Sequence, residues 1–218
     1  MKLQVVSKIL DANERIAEEN RDMFQKNSVF VINLMSSPGA GKTTLLEKTI
    51  SELKDSLKIA VIEGDIAGVD DAMRIEALGV PVVQINTGGY CHLDAGMIKE
   101  AMKEFDLTNT DILFIENVGN LVCPAEFYMG EDIKVMILSI TEGHDKPLKY
   151  PAMFQNSRVI LINKIDLKGH LDVDMQKIRK DIYTLNPTAH VFEVSCKTGE
   201  GLKSWIHWLK TESLSKRH

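Results

Sequence analysis

Residues 36–44, SSPGAGKTT, assemble the parts needed to hold a polyphosphate. Glycines let successive backbone N–H groups point at an anion, a lysine reaches its terminal phosphates, and a hydroxyl holds Mg²⁺ at a helix N-terminus. Gly39, Ala40, Gly41, Lys42, Thr43 and Thr44 supply these parts in order. The stretch departs from the pattern GxxxxGK[ST] at its first position, where Ser36 stands in place of glycine. Pro38 to Gly41 still shape the turn.

The base that accompanies the phosphates is indicated by NKID at 163–166, which follows an apolar run. Asp166 can accept from the guanine ring N–H and exocyclic amine, a paired contact that adenine does not offer. Asn163 can contact the other edge of the base, and the stem of Lys164 can cover the ring. A surface turn of mixed charge is the alternative for these four residues taken alone. SCKTG at 195–199, with Ser195, Cys196 and Lys197, has the form of a further guanine-side loop. GTP is therefore the expected ligand, and Cys196 is the small residue of its loop with no metal role.

Acids at the ends of neighbouring apolar runs complete a phosphoryl-transfer site. Asp65 in IEGDIAG and Glu116 in LFIENVGN both sit where an unpartnered acid is costly. Mg²⁺ takes one or two carboxylates beside the phosphates and keeps several waters. Thr43, Asp65 and Glu116 are accordingly its expected ligands, with Glu63 a third acidic candidate; a helix cap is the alternative role for either acid. The span from Glu116 to Gly119 has the form of a switch whose glycine N–H meets the γ-phosphate, departing from Asp-x-x-Gly only in the acid. Lys42 and Mg²⁺ act on the β- and γ-phosphates, and Asp65 is the expected water-positioning group. No residue is identifiable as an arginine finger, so slow intrinsic turnover is expected.

A second chemistry is offered by Cys91 and His92 in GGYCHLDAG and by Cys123 in NVGNLVCPAE. Thiolate and imidazole suit Zn²⁺ or Ni²⁺. Adjacent residues on a strand point to opposite faces, so Cys91 and His92 can share an ion only in a loop or at a helix start, and the preceding NTGG favours a loop. One subunit then offers three ligands at most, leaving a second subunit or water to close the shell. Buried small hydrophobes and a hydrogen-bonded histidine are the alternative.

These residues must be positioned by elements that the hydropathy pattern outlines. Strand-like runs occur at 29–35, 58–63, 80–86, 111–118, 134–140, 158–164 and 190–195, with helical patterns near 43–55, 68–78, 93–105, 172–185 and 200–211. The strands are nearly continuous in apolar residues, as a sheet covered on both faces requires. The alternation implies an α/β domain with a mostly parallel sheet of about seven strands. Before it, residues 2–26 carry Leu3, Val6, Ile9, Leu10, Ile16, Met23 and Phe24 at helical spacing, which predicts one or two N-terminal amphipathic helices. The expected organisation is an N-terminal helical segment, 1–28, and a GTP-binding domain, 29–214, with the metal site embedded in it. A chain of 218 residues with formal charge −5 lacks the basic excess of a nucleic-acid footprint. No apolar run approaches the roughly 18–20 residues of a membrane span, and no signal core follows the start, which places the chain in the cytoplasm. Three cysteines are too few for a disulfide framework.

Taken together, SPGAGKTTLL, EGD, CHLDAGM, ENVGNLVCP, TEGHDKPLKYP and NKIDL resemble the HypB family of hydrogenase nickel-incorporation GTPases, over residues 30 to 210. The resemblance implies a P-loop NTPase fold of the SIMIBI type and a metallochaperone that delivers nickel during maturation of [NiFe]-hydrogenase. It further implies Ni²⁺ or Zn²⁺ on Cys91, His92 and Cys123, a GTP-promoted homodimer that shares this site, and partners such as HypA and the hydrogenase large subunit. Two departures matter. No cysteine-rich or histidine-rich run precedes the domain, so no separate nickel store is expected, and Gly96 stands where relatives often have a second histidine. Metallochaperone GTPases for urease or a cobalamin enzyme are the alternatives, although the urease family UreG lacks CHLDA. A GTP-controlled binding module with structural zinc is a third.

Overall fold

The structure, a computed structural model, describes residues 3–216. The side chains of Leu3, Val6, Ile9 and Leu10 lie outside the described residues. In chain order the main elements are α1 (Leu3–Lys26), β1 (Phe30–Ser36), α2 (Lys42–Leu53), β2 (Ile59–Asp65), α3 (Asp70–Glu76), β3 (Val82–Asn86), α4 (Ala95–Ala101), β4 (Ile112–Glu116) and α5 (Cys123–Glu126). They continue with β5 (Ile133–Ser139), α6 (Lys146–Lys149), α7 (Pro151–Gln155), β6 (Val159–Asn163), α8 (Met175–Leu185), β7 (His190–Glu193) and α9 (Leu202–Ser215).

All seven strands pair in parallel, in the order β3-β2-β4-β1-β5-β6-β7. The alternation of β1 shows why the sheet is buried on both faces. Phe30, Ile32 and Leu34 pack with Leu45, Leu46 and Ile50 of α2 and with Trp205 and Leu209 of α9. Val31 faces the other way, against Phe24 of α1 and Ile98 of α4, and Met35 joins Phe154 and Ile178 on that face. Each such side chain contributes about 1.5–3 kcal/mol when fully buried. The chain leaves β1 for β2, β3 and β4 on one side and crosses to β5, β6 and β7 on the other. The carboxyl end of β1 is thus a topological switch point, where open α/β sheets bind their ligands.

Leu3–Lys26 forms a single helix rather than two, because its inward stripe of Asn13, Ala17, Asn20 and Phe24 is unbroken at helical spacing. Asn20 Nδ2 donates to the Ala95 and Met129 carbonyls at 2.9 and 3.0 Å. Asn13 donates to the Tyr128 carbonyl and accepts from Ala95 N–H. The helix expected at 93–105 shortens to α4 followed by a 3₁₀ turn at Met102–Glu104, with Asp94 capping its start. Three short helices the pattern did not indicate, α5, α6 and α7, each carry a proline in the first turn.

Candidate functional site

The phosphate loop joins β1 to α2 through two glycines with positive φ, Gly39 at 73° and Gly41 at 102°. A Cβ on Gly41 would lie 2.6 Å from Asn163 Nδ2, so glycine is required there by space as well as by φ. Ser36, the departure from the usual pattern, is fully buried and accepts from Lys42 Nζ at 3.2 Å. Its hydroxyl thus serves as a polar partner for the lysine.

Beside the loop, Thr43 Oγ1 donates to Glu116 Oε1 at 2.8 Å. Glu116 and Glu63 are register neighbours on β4 and β2. Carboxylate oxygens of Glu63, Asp71 and Glu116 all lie within 4.8 Å of one another. Burial, and then the adjacent Glu116, push the Glu63 carboxyl up to about 11. Burial also raises Glu116, opposed by Lys42 and the Thr43 hydroxyl. Glu63 Oε2 and Glu116 Oε2 are buried with no hydrogen-bond partner. Orphaned carboxylate oxygens next to a hydroxyl form an all-oxygen donor set, which fits a hard divalent cation such as Mg²⁺.

Asp65 does not join this cluster. Its carboxylate accepts from Gly68 and Ala67 N–H at 2.8 and 2.9 Å, and those bonds hold it below the usual carboxylate range. The acids beside Glu116 are Glu63, the third acidic candidate, and Asp71, because α3 folds back over the end of β2. Asp71 is one of the residues that motif reasoning missed; the acidic start of α3, DDAMR, was the available signal. Arg74 of the same helix is engaged by Glu47 and Asp71 and donates to Thr44 Oγ1. Gly119 packs on the phosphate loop so closely that a Cβ would come within 3.0 Å of Pro38.

Beside NKID, a cavity of about 400 Å³ is lined by Gly41, Thr44, Lys164, Asp166, Leu167 and Lys197. Ser195 Oγ donates to Asp166 Oδ1 at 2.6 Å and so orients that carboxylate. Asn163 ties loops together: its Nδ2 donates to the Ala40 carbonyl, while its Oδ1 accepts from Lys164 and Cys196 N–H. Lys164 adopts φ 65° and donates to the Gly39 carbonyl. Cys196 is buried, which pushes its thiol up to about 11.

The third cluster lies beyond the switch segment. Cys91 Sγ is 2.8 Å from Cys123 Sγ and 3.6 Å from His92 Nδ1, and the three ligand atoms lie within 4.8 Å of one another. Cys91 and His92 occupy a loop, as sharing an ion requires. Cys123 opens α5, where Asn120 Oδ1 accepts from the Val122 and Cys123 N–H groups. The hydrogen bond with Cys91, together with burial, raises the Cys123 thiol to about 11. Burial lowers His92, whose ring packs on Phe127 at 3.8 Å. All three are half-buried, a set of soft and borderline donors.

Together these features define a P-loop nucleotide-binding domain with an oxygen-lined cation site and a separate thiolate–imidazole cluster. The sequence matches the family described as CobW/HypB/UreG, nucleotide-binding domain, over residues 29–193. It is 51% identical over 210 residues to the hydrogenase maturation factor HypB of Escherichia coli K12, covering 96% of this chain and 72% of that one. The structure of HypB from Helicobacter pylori in complex with nickel superposes with a TM-score of 0.87 at 38% identity, covering 94% of this chain and 96% of that one. The signal recognition particle receptor FtsY of Elizabethkingia anophelis, in complex with GDP, shares the fold alone, with a TM-score of 0.56 at 14% identity over 87% of this chain and 70% of that one. The chain belongs to the HypB family of hydrogenase maturation factors, and its fold is an α/β P-loop fold.

Proposed function

We propose that this chain is a GTP-hydrolysing metallochaperone whose nucleotide state sets its affinity for Ni²⁺ (or Zn²⁺) cargo during [NiFe]-hydrogenase maturation. The observation that carries this reading is the single segment 116–123, which starts at Glu116 in the cation cluster, passes Gly119 against the phosphate loop and ends at Cys123 in the thiolate cluster. A switch and a cargo ligand therefore share one short piece of backbone. Guanine selection is assigned to Asp166, with Ser195 orienting it and Asn163, Lys164, Cys196 and Lys197 framing the cavity.

In this scheme Gly39, Ala40, Gly41, Lys42, Thr43 and Thr44 cradle the phosphates. Thr43, Glu63, Asp71 and Glu116 would hold Mg²⁺, which when bound supplies charge neutralisation on the phosphate oxygens. Lys42 leaves Ser36 for the β- and γ-phosphates, and Gly119 N–H is the γ-phosphate sensor. Asp65, kept ionised by two backbone N–H groups, orients the attacking water. Arg74 reaches the loop at Thr44 but is held by Glu47 and Asp71, so no arginine is assigned as a finger and slow intrinsic turnover is expected. The cargo sits on Cys91, His92 and Cys123 and displaces thiol protons when it binds. A GTP-promoted homodimer closing that open coordination shell, docking of HypA and the hydrogenase large subunit, and the division into a helical segment 1–28 and a GTP-binding domain 29–214 complete the proposal.

Titration with Ni²⁺ and Zn²⁺ under reducing conditions, with GDP and with a non-hydrolysable GTP analogue while mass is followed by light scattering, tests it. Nucleotide-dependent affinity or mass is the expected result. Identical metal binding and constant mass would reduce the thiolate cluster to a structural zinc site.

A further inference from the structure

One face of the sheet contains a feature that an apolar core does not explain. On β1, Asn33 lies on the face shared with Val31 and Met35 and is fully buried. Its neighbours in space are Asn117 and Glu131, also buried. These groups form a continuous chain. Asn117 Oδ1 accepts from Leu93 N–H and from Val118 N–H, both at 3.0 Å. Asn117 Nδ2 donates to Asn33 Oδ1 at 3.2 Å, and Asn33 Nδ2 donates to Glu131 Oε1 at 3.4 Å. Glu131 Oε2 accepts from Met129 N–H at 2.7 Å, and its Oε1 lies 3.7 Å from Lys134 Nζ. Lys134 Nζ in turn donates to the Ala125 carbonyl at 2.8 Å, where Asn156 Nδ2 also donates.

The ends of this chain identify its purpose. Leu93 follows Cys91 and His92 directly. Ala125 belongs to α5, the turn that begins at Cys123. Asn117 stands between Glu116, which meets Thr43, and Gly119, which lies on Pro38. The network therefore touches the backbone of all three segments that the two sites require. Its interior members are costly to bury: desolvation raises the Glu131 carboxyl and lowers the Lys134 ammonium from their usual ranges. Such a pair is often no more stabilising than apolar residues of similar volume.

We propose that the buried Asn33–Asn117–Glu131–Lys134 chain is the positioning device that transmits movement of the 116–119 switch to the Cys91–His92 loop and the Cys123 turn. This rests on the reading that nucleotide state controls metal affinity. Asn117 is the pivot, because one oxygen holds both the switch residue Val118 and the cargo loop at Leu93. When Gly119 follows the γ-phosphate, Asn117 shifts with it. The Leu93 N–H is drawn along on one side, and Asn33, Glu131 and Lys134 carry the shift toward Ala125 on the other. Coupling requires two discrete arrangements of such a network rather than contact alone. None of these four residues is among those assigned to hold nucleotide or cargo, so they are positioning residues.

The test is the ratio of Ni²⁺ affinities with the non-hydrolysable GTP analogue and with GDP, measured by competition against a chromophoric chelator, in the wild type, Asn117→Ala and the double variant Glu131→Gln/Lys134→Met. The double variant removes the ion pair without leaving an unpaired buried charge. The wild type is expected to show a ratio of about 5–150, the usual range of coupling. Asn117→Ala should bind guanine nucleotide and Ni²⁺ yet bring the ratio near one, and the double variant should lower it in the same direction. A folded Asn117→Ala with the wild-type ratio overturns the proposal, as does loss of Ni²⁺ binding in both nucleotide states, which would make the network a scaffold for the ligands only. If Asn117→Ala does not fold, an unchanged ratio in the double variant overturns the proposal by itself. A wild-type ratio of one would instead remove the underlying reading of nucleotide-controlled affinity, a result separable from failure of the network.

Discussion

At the scale of single residues, the chemistry depends on a few side chains that are expensive where they stand. Gly41 combines positive φ with a neighbour 2.6 Å from any added Cβ. Gly41→Ala is expected to lower nucleotide affinity at least about tenfold, since the left-handed region alone costs an L-residue roughly 1–2 kcal/mol and the methyl must also displace Asn163. Isothermal titration with GDP checks this. Glu63 yields a pH prediction. Its carboxyl titrates near 11 when folded and at its ordinary value of 4.5 when not, because burial and Glu116 oppose its charge. Between those values the folded chain holds more protons than the unfolded one, so stability present in acid is lost as pH rises, by up to about 1.4 kcal/mol per pH unit for one group. Urea denaturation in chelator between pH 5.5 and 8.5 should show the wild type losing stability relative to Glu63→Gln as pH increases. Added Mg²⁺ with nucleotide should flatten the wild-type slope.

At the scale of elements, α1 acts as a clasp over both segments that frame the thiolate cluster. Asn13 and Asn20 reach the start of α4 on one side and the 128–129 loop on the other. Gly130, with φ 101°, lies directly against the helix, where a Cβ would come within 2.8 Å of the Ala17 carbonyl. Asn20→Ala leaves the Ala95 and Met129 carbonyls without that donor and is expected to cost about 1–3 kcal/mol, read as a lower urea midpoint with unchanged slope. The exposed Lys99–Glu19 pair that also joins α1 to α4 should contribute little, as surface pairs do. The amphipathic helix was legible from its spacing. Its inward asparagines and what they hold were not, because the donors' partners are backbone carbonyls far away in sequence.

At the scale of the whole molecule, the two sites are neighbours because of strand order. β4 lies between β2 and β1, which places Glu116 beside Glu63 and the phosphate loop, and the loop leaving β4 then runs to Cys123. Cys123→Ala should keep guanine binding and lose the nucleotide-dependent part of its metal affinity, a coupling on the order of 1–3 kcal/mol; parallel GDP and metal titrations check it. By itself the sequence determined the phosphate loop, the NKID turn at the end of β6 and the doubly covered sheet, since each is written in contiguous residues whose local spacing dictates the geometry. It also indicated Cys91, His92 and Cys123, through residue chemistry and a recognisable motif pair. Only the tertiary structure decided that Glu63 and Asp71, rather than Asp65, lie against Glu116, and that Asn117 bonds both Asn33 and the Leu93 N–H. Those contacts depend on which strands are adjacent, on their register and on where α3 folds back, and such long-range relations leave no periodic trace along the chain.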